Sequence, residues 1–388
     1  MKQHLIGLVT GIGALVPFAV ESAKATSAKA TSENAIEQGN MLEPGQLSAG
    51  YNYPAAYKLS AGWDFFITGD YIFWMANQEN MQFPGVVINP VETGLGYNGK
   101  YVQFRPLHTT FKSGFKAGFG WQMPSVDHWI IGCEYTWYHN TFSDSLTVAQ
   151  SATPTPGALS YAQNIVDASF FQTLQVNNLL IGDVSGTTTS PLTLREKWEL
   201  RVDIVDGKFE RPYYLGARLL VNPEAGVRGM WIEQTIRYIN TSATANATTQ
   251  IKYHSNNWGV GPRFAMRANW FLGKGFSFIS KAGASVLFTQ YNEISRVDNN
   301  LNGTSPQYRP DGAINVLRPQ IETGLGCQLG GYCCSNSVHV DLAVTYDFNV
   351  FLNQNEAFSF LSGVSIGGAS DPGSLYLHGL TARAGLDF

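Results

Sequence analysis

A set of charged residues recurs at spacings that would gather them on one side of extended chain: Lys112, Lys116, Glu134, Arg228, Arg263, Arg267, Lys281, Arg318, Glu322 and Asp341. Successive strand side chains point to opposite faces, so Lys112 with Lys116, and Arg263 with Arg267, share a face. The same polar faces add Arg201 and Arg383, set against Asp70, Glu199, Asp203, Glu224 and Asp347. Collected around one axis, this nearly even mixture could do two things. Opposed charges across water would make a transverse field that orients polar solutes. Alternatively they would pair and fill the space between them. Arg263 and Arg267 fit either an anion-attracting constriction or the cations that satisfy Glu322 or Asp341.

Other chemistry is thinly represented. A hydrolase needs a nucleophile or activated water beside an oriented base. Among the 7 histidines only His339 has a carboxylate at strand spacing, Asp341, and no nucleophile accompanies them. An ion pair is the expected role, with no catalytic residue, no cofactor and no enzyme activity. The 4 cysteines are Cys133 and Cys327, each on an apolar face as a small hydrophobe, and the adjacent Cys333 and Cys334 in the turn Gly330-Gly331-Tyr332-Cys333-Cys334. Two neighbouring cysteines with only His339 nearby do not make a four-ligand zinc set, so no metal site is expected there.

The elements that carry these residues follow a period of two. Phe111, Ser113, Phe115, Ala117, Phe119 and Trp121 alternate with Lys112, Gly114, Lys116, Gly118, Gly120 and Gln122. Trp129, Ile131, Cys133, Tyr135 and Trp137 repeat the pattern, as do Trp258 to Trp270, Leu317 to Leu329 and Val338 to Phe348. Runs of about a dozen residues exceed the five or six of a soluble sandwich strand and suffice to cross a bilayer when tilted. Large rings at the ends of the apolar faces, such as Trp129 with Trp137, match interfacial aromatic girdles.

Composition agrees. Charged residues are only 14% of the 388, and aromatics are 13%. No run after the first twenty or so residues approaches the ~18 apolar residues of a spanning helix. The net charge of -4 offers no polycationic surface for nucleic acid, so no such partner is expected.

Strands are expected near 62–76, 109–122, 128–142, 194–206, 218–238, 257–270, 276–291, 315–329, 337–350 and 375–388. Their connections alternate long and short, as in barrels with long extracellular loops and short periplasmic turns. The reading is an all-β, transmembrane, antiparallel up-and-down barrel of about ten strands, rising to twelve or more if 77–108 or 143–193 holds another hairpin. Residues 1–25 read as a signal peptide, with Lys2 and His4 before an apolar run. Residues 26–61 read as a flexible periplasmic lead-in, and 62–388 as the barrel. Tyr376, Leu386 and Phe388 close an apolar face at the chain's end, a pattern addressed to the barrel-assembly machinery of Gram-negative bacteria.

Several segments resemble the major-outer-membrane-protein-like family of Legionella and the environmental chlamydiae. They are Trp63-Asp64-Phe65-Phe66 through Asp70-Tyr71-Ile72-Phe73-Trp74, Gly114 to Gly120, Arg211-Pro212-Tyr213-Tyr214-Leu215-Gly216 and Leu375 to Phe388. The resemblance implies a pore-forming outer-membrane protein, set in outer-membrane lipid; the polar strand faces, as the lining of that pore, would pass small hydrophilic solutes and ions. The resemblance also favours an intermolecular bridge through Cys333 and Cys334. The alternative is a surface adhesin or disulfide-linked envelope scaffold without pore activity, touching a host through its loops or assembling as a homo-oligomer.

Overall fold

The structure is a computed structural model that describes residues 51–54, 64–79, 81–88, 101–123, 128–148, 192–216, 218–242, 247–299, 307–308, 312–335, 337–356 and 372–388. The expected signal peptide, most of the lead-in and loop 149–191 lie outside the described residues.

Ten long strands form the barrel: β1 Phe65–Gln78, β2 Lys112–Met123, β3 Trp129–Val148, β4 Leu192–Glu210, β5 Leu219–Ser242, β6 Ala247–Gly273, β7 Phe276–Asn299, β8 Ile314–Cys333, β9 Val338–Asn355 and β10 Gly373–Asp387. Each pairs antiparallel with its sequence neighbours, and β10 pairs with β1 to close the ring. The chain folds this way because every strand carries one apolar and one polar face, and closure leaves no unpaired edge in lipid.

Register fixes the geometry. Starting at Phe278 and following direct partners through Cys327, Val344, Ala382, Tyr71, Phe115, Trp137, Asp203, Trp231 and Trp258, one circuit returns to β7 at Gln290. That is a shear of roughly twelve residues for ten strands, which sets a strand tilt of about 40° and a backbone radius near 10 Å. Such a bore is narrow enough for side chains to meet across it.

The outer face carries an apolar belt. Phe119, Phe264, Leu317 and Leu325 are 63%, 65%, 66% and 58% exposed, values sensible only where lipid is the neighbour. Trp121, Trp129 and Trp270 edge the belt at the short-turn end, and Trp231 at the other. The tight turns at the first end are built from left-handed residues, Gly273, Lys274 and Gly275 in one and Cys334 and Ser335 in another.

Strands β3 to β7 run 19 to 27 residues, far beyond the ~10 needed to cross a bilayer. Their surplus stands past the belt on the long-loop side, and there the polarity inverts. The inward face is apolar, with Trp198, Leu200, Ile236, Tyr238 and Tyr253 buried, while the outward face is charged. This part is packed like a soluble protein, because water rather than lipid surrounds it.

Three expectations change. Glu199, Arg201 and Asp203 do not face the lumen: they sit on the outward face of β4, where Arg201 pairs with Glu233 at 3.2 Å, Glu199 with Arg237 at 2.8 Å, and Asp203 with His139 at 2.7 Å. Segment 77–108 does hold a hairpin, Gln82–Ile88 with Tyr101–Pro106, but it forms a separate two-stranded sheet and adds nothing to the barrel. Within the lead-in, Tyr51–Pro54 pairs with Tyr213–Leu215 beside the start of β5.

Candidate functional site: the barrel lumen

The inward residues of the lipid-embedded half form one charged layer. Arg228, on β5, donates to both oxygens of Asp206 on β4 at 2.6 Å and reaches Glu322 on β8 at 2.9 Å. It also donates to Gln320. Arg263 on β6 binds Glu224 at 3.0 Å and Glu322. Arg267, one inward step beyond Ala265, binds Glu210 at 3.0 Å and lies 3.7 Å from Glu224. Between neighbouring strands Lys208 meets Glu134 at 2.8 Å and Arg383 meets its register partner Asp70 at 3.6 Å, and Lys281 meets Asp347, two strands away, at 3.5 Å. Lys116 stands over the Trp74 ring, 4.9 Å from its centre.

The sequence-derived residues therefore separate by height. Lys116, Glu134, Arg228, Arg263, Arg267, Lys281 and Glu322 come together in this layer. Lys112 shares their face, further along β2. Arg318 lies above, paired with Glu356 and beside the Tyr291 ring. Asp341 lies below, near the short-turn end, with His339 at 3.5 Å. Arg263 satisfies Glu322, as one of its two expected roles required. Cys133 and Cys327 face outward. Cys333 and Cys334 are exposed at the turn after β8, both as free thiols. Tyr376, Leu386 and Phe388 share the outward face of the closing strand, and the Phe388 amide donates to Phe65 at 2.9 Å.

Two voids lie in series along the axis. A cavity of about 200 Å³ opens from the short-turn end and is walled by Phe66, Thr68, Tyr214 and Tyr332, with Glu134 and Lys208 at its inner end. A second, of about 80 Å³, lies among the ion pairs, and Trp74, Ile204, Phe351 and Leu377 form its roof. Both are lined by Glu134, Lys208, Arg267, Lys281 and Arg383. Their walls mix these charged groups with apolar side chains such as Phe119, Ile279 and Leu377.

Above the roof the bore is filled by an apolar layer that begins at buried Ile72, Trp74, Tyr138 and Leu287 and continues past the belt to Leu200 and Trp198, the latter beside Phe142. Tyr138 donates to the Trp74 carbonyl at 2.9 Å, and Trp74 Nε1 donates to Thr381 at 3.1 Å, so the rings are held in place. This apolar layer was not anticipated. It follows from the parity of β4: Trp198 and Ile204 lie an even number of residues from Lys208, which the structure turns inward.

Beyond the membrane, Glu196 is fully buried in the apolar interior beside Tyr238. Residues 196 and 203 are separated by roughly 23 Å of strand at about 3.3 Å per residue, and Asp203 pairs in register with the girdle residue Trp231. Burial pushes the Glu196 carboxyl up to about 7, opposed by Tyr238 and reinforced by Asp144.

A closed ten-stranded antiparallel barrel with a lipid-facing belt and a charged interior defines a membrane-spanning β-barrel protein. The family model described as the Legionella pneumophila major outer membrane protein precursor matches residues 18–384, and the chain belongs to that family and to the outer membrane. No curated protein matches it. Among solved structures, similar barrels include the outer membrane protease OmpT of Escherichia coli, at 10% identity and TM-score 0.36, covering 86% of this chain and 98% of that one. The P. putida toluene transporter TodX has 7% identity and TM-score 0.23, covering 84% and 89%. A Pseudomonas aeruginosa FadL homologue has 8% identity and TM-score 0.22, also covering 84% and 89%.

Proposed function

We propose that the protein is a narrow, gated channel for ions and small hydrophilic solutes, with no catalytic activity. The observation that carries this reading is the pair of voids in series, sharing Glu134, Lys208, Arg267, Lys281 and Arg383 in their walls, which lead from the short-turn end through the charged layer as far as the Trp74 roof. Ionisable residues at membrane depth are costly and are kept where an ion path or a relay uses them. An apolar constriction above a hydrated chamber gates by dewetting, so conduction requires the Trp74, Tyr138 and Trp198 layer to shift.

The charged layer then sets preference. Arg263 and Arg267 face three carboxylates, Glu210, Glu224 and Glu322, and removing both cations leaves the constriction net negative. In proteoliposomes under a salt gradient, Arg263→Ser with Arg267→Ser should move the reversal potential toward cation selectivity; an unmoved potential with intact barrels would place the path elsewhere. A second reading, a surface or envelope scaffold, is favoured by the apolar layer alone, since that layer closes the bore. It requires that no current flow under any applied voltage.

A further inference from the structure

We propose that His339, Asp341 and Asp387 form a divalent metal site, of the Zn²⁺ class, at the short-turn mouth of the barrel. The inference is independent of whether the lumen conducts. It starts from register: Tyr332, His339 and Asp387 are direct partners across β8, β9 and β10, and Asp341 follows His339 on the same inward face. The ladder thus delivers one imidazole and two carboxylates to a single point.

The distances suit a metal. His339 Nδ1 lies 3.1 Å from Asp387 Oδ2 and 3.5 Å from Asp341 Oδ2, and one ligand atom from each residue falls within 4.8 Å of the others. Bonds of 2.0–2.1 Å in a tetrahedron put ligand atoms roughly 3.3 Å apart, between the two values seen. The third edge, between Asp341 and Asp387, lies within 4.8 Å, so an ion would draw the two carboxylates together and take the place of the His339–Asp387 hydrogen bond.

The surroundings have the form of an outer shell. Gln328 donates to Asp341 Oδ1 at 2.5 Å, which orients that carboxylate and leaves Oδ2 for an ion. The Tyr332 ring packs edge-on to His339, 4.8 Å between centres, and fixes the imidazole plane. Residue 330 is glycine; a Cβ there would fall 2.6 Å from Asp341 Oδ1 and 3.2 Å from His339 Nε2, so the group needs the absence of a side chain. His339 is fully buried while the carboxylates are part-exposed, and all three line the 200 Å³ cavity, which leaves a fourth position for water. One nitrogen with two carboxylate oxygens is a borderline donor set, suited to Zn²⁺ rather than to Ca²⁺ or Mg²⁺.

The test uses the full chain refolded in detergent, chelator-stripped, and carrying Cys333→Ser and Cys334→Ser so that thiols supply no ligand. Calorimetric titration with Zn²⁺ should give one saturable site. His339→Gln and Asp341→Asn should each weaken binding tenfold or more while the folded barrel keeps its heat-modifiable migration. Gln328→Ala, which touches only the outer shell, should weaken it about tenfold. With Co²⁺ the parent chain should show the intense visible bands of a four-coordinate ion. Absence of a saturable site in the parent, binding unchanged in both ligand variants, or a Co²⁺ spectrum like that of the hydrated ion would each overturn the proposal. If the ligand variants fail to fold, the Gln328→Ala titration and the parent spectrum decide it.

Discussion

Arg228 and Arg201 carry the same charge on neighbouring strands and are expected to differ sharply in what they contribute. Arg228 is buried against Asp206, Glu322 and Gln320. Removing it strands two buried carboxylates, at a cost of about 3–5 kcal/mol. Arg201 is more than half exposed and pairs only with Glu233 at 3.2 Å, a surface contact contributing ~1 kcal/mol or less. Urea unfolding in lipid vesicles should therefore rank Arg228→Ala far below Arg201→Ala, and equal losses would contradict the layered interior. Glu196 supplies a pH prediction. Its folded carboxyl is raised to about 7 by burial, so the neutral form is favoured in the fold. That stability is fully present below about pH 4.5 and is lost as pH rises through about 7. Glu196→Gln, permanently neutral, should match the parent in acid and exceed it by on the order of 3 kcal/mol above pH 7. A difference that does not vary with pH would show that Glu196 is not held neutral.

At the scale of the strand, a face has no fixed meaning until its surroundings are known. Leu325 is 58% exposed in mid-belt on β8, and Leu325→Arg should cost about 2–4 kcal/mol, read as a loss of folded, heat-modifiable barrel on insertion into vesicles. Past the belt, the outward face of β4 holds Lys197, Glu199 and Arg201 at no such penalty, because it stands in water. This contrast explains what could be read in advance. Strands such as β2 and β6, whose Phe115 and Phe264 faces meet lipid, displayed their orientation in the alternation itself. On β4 the alternation was equally clear, but which face pointed inward depended on how far the strand outran the bilayer, and that length is a property of the neighbouring strands. The segment containing Tyr51–Pro54 had no periodicity to read, since its pairing with Tyr213–Leu215 is a backbone contact indifferent to side-chain pattern. Asp387 was passed over for a related reason: it joins His339 across a strand pair, and only register, never spacing along one strand, brings them together.

For the whole molecule, ten strands and a shear of roughly twelve make a bore that side chains can span, and this barrel spans it twice, once with ion pairs and once with rings. In the proposed channel the charged layer with its two cavities is the part that passes ions; the apolar layer that begins at Trp74 and Tyr138 and ends at Trp198 is the part that blocks them. The proposed channel is closed at rest and opens by movement of its apolar layer. Single-channel recording of the refolded chain in a planar bilayer, alongside Trp198→Ala, tests this most directly. The parent should show long closed periods broken by small, uniform current steps, and Trp198→Ala should be open for a much larger fraction of the time at unchanged ion preference. A folded parent and a folded Trp198→Ala that both stay silent at every voltage would contradict the channel, and a large, permanently open current in the parent would contradict the gate.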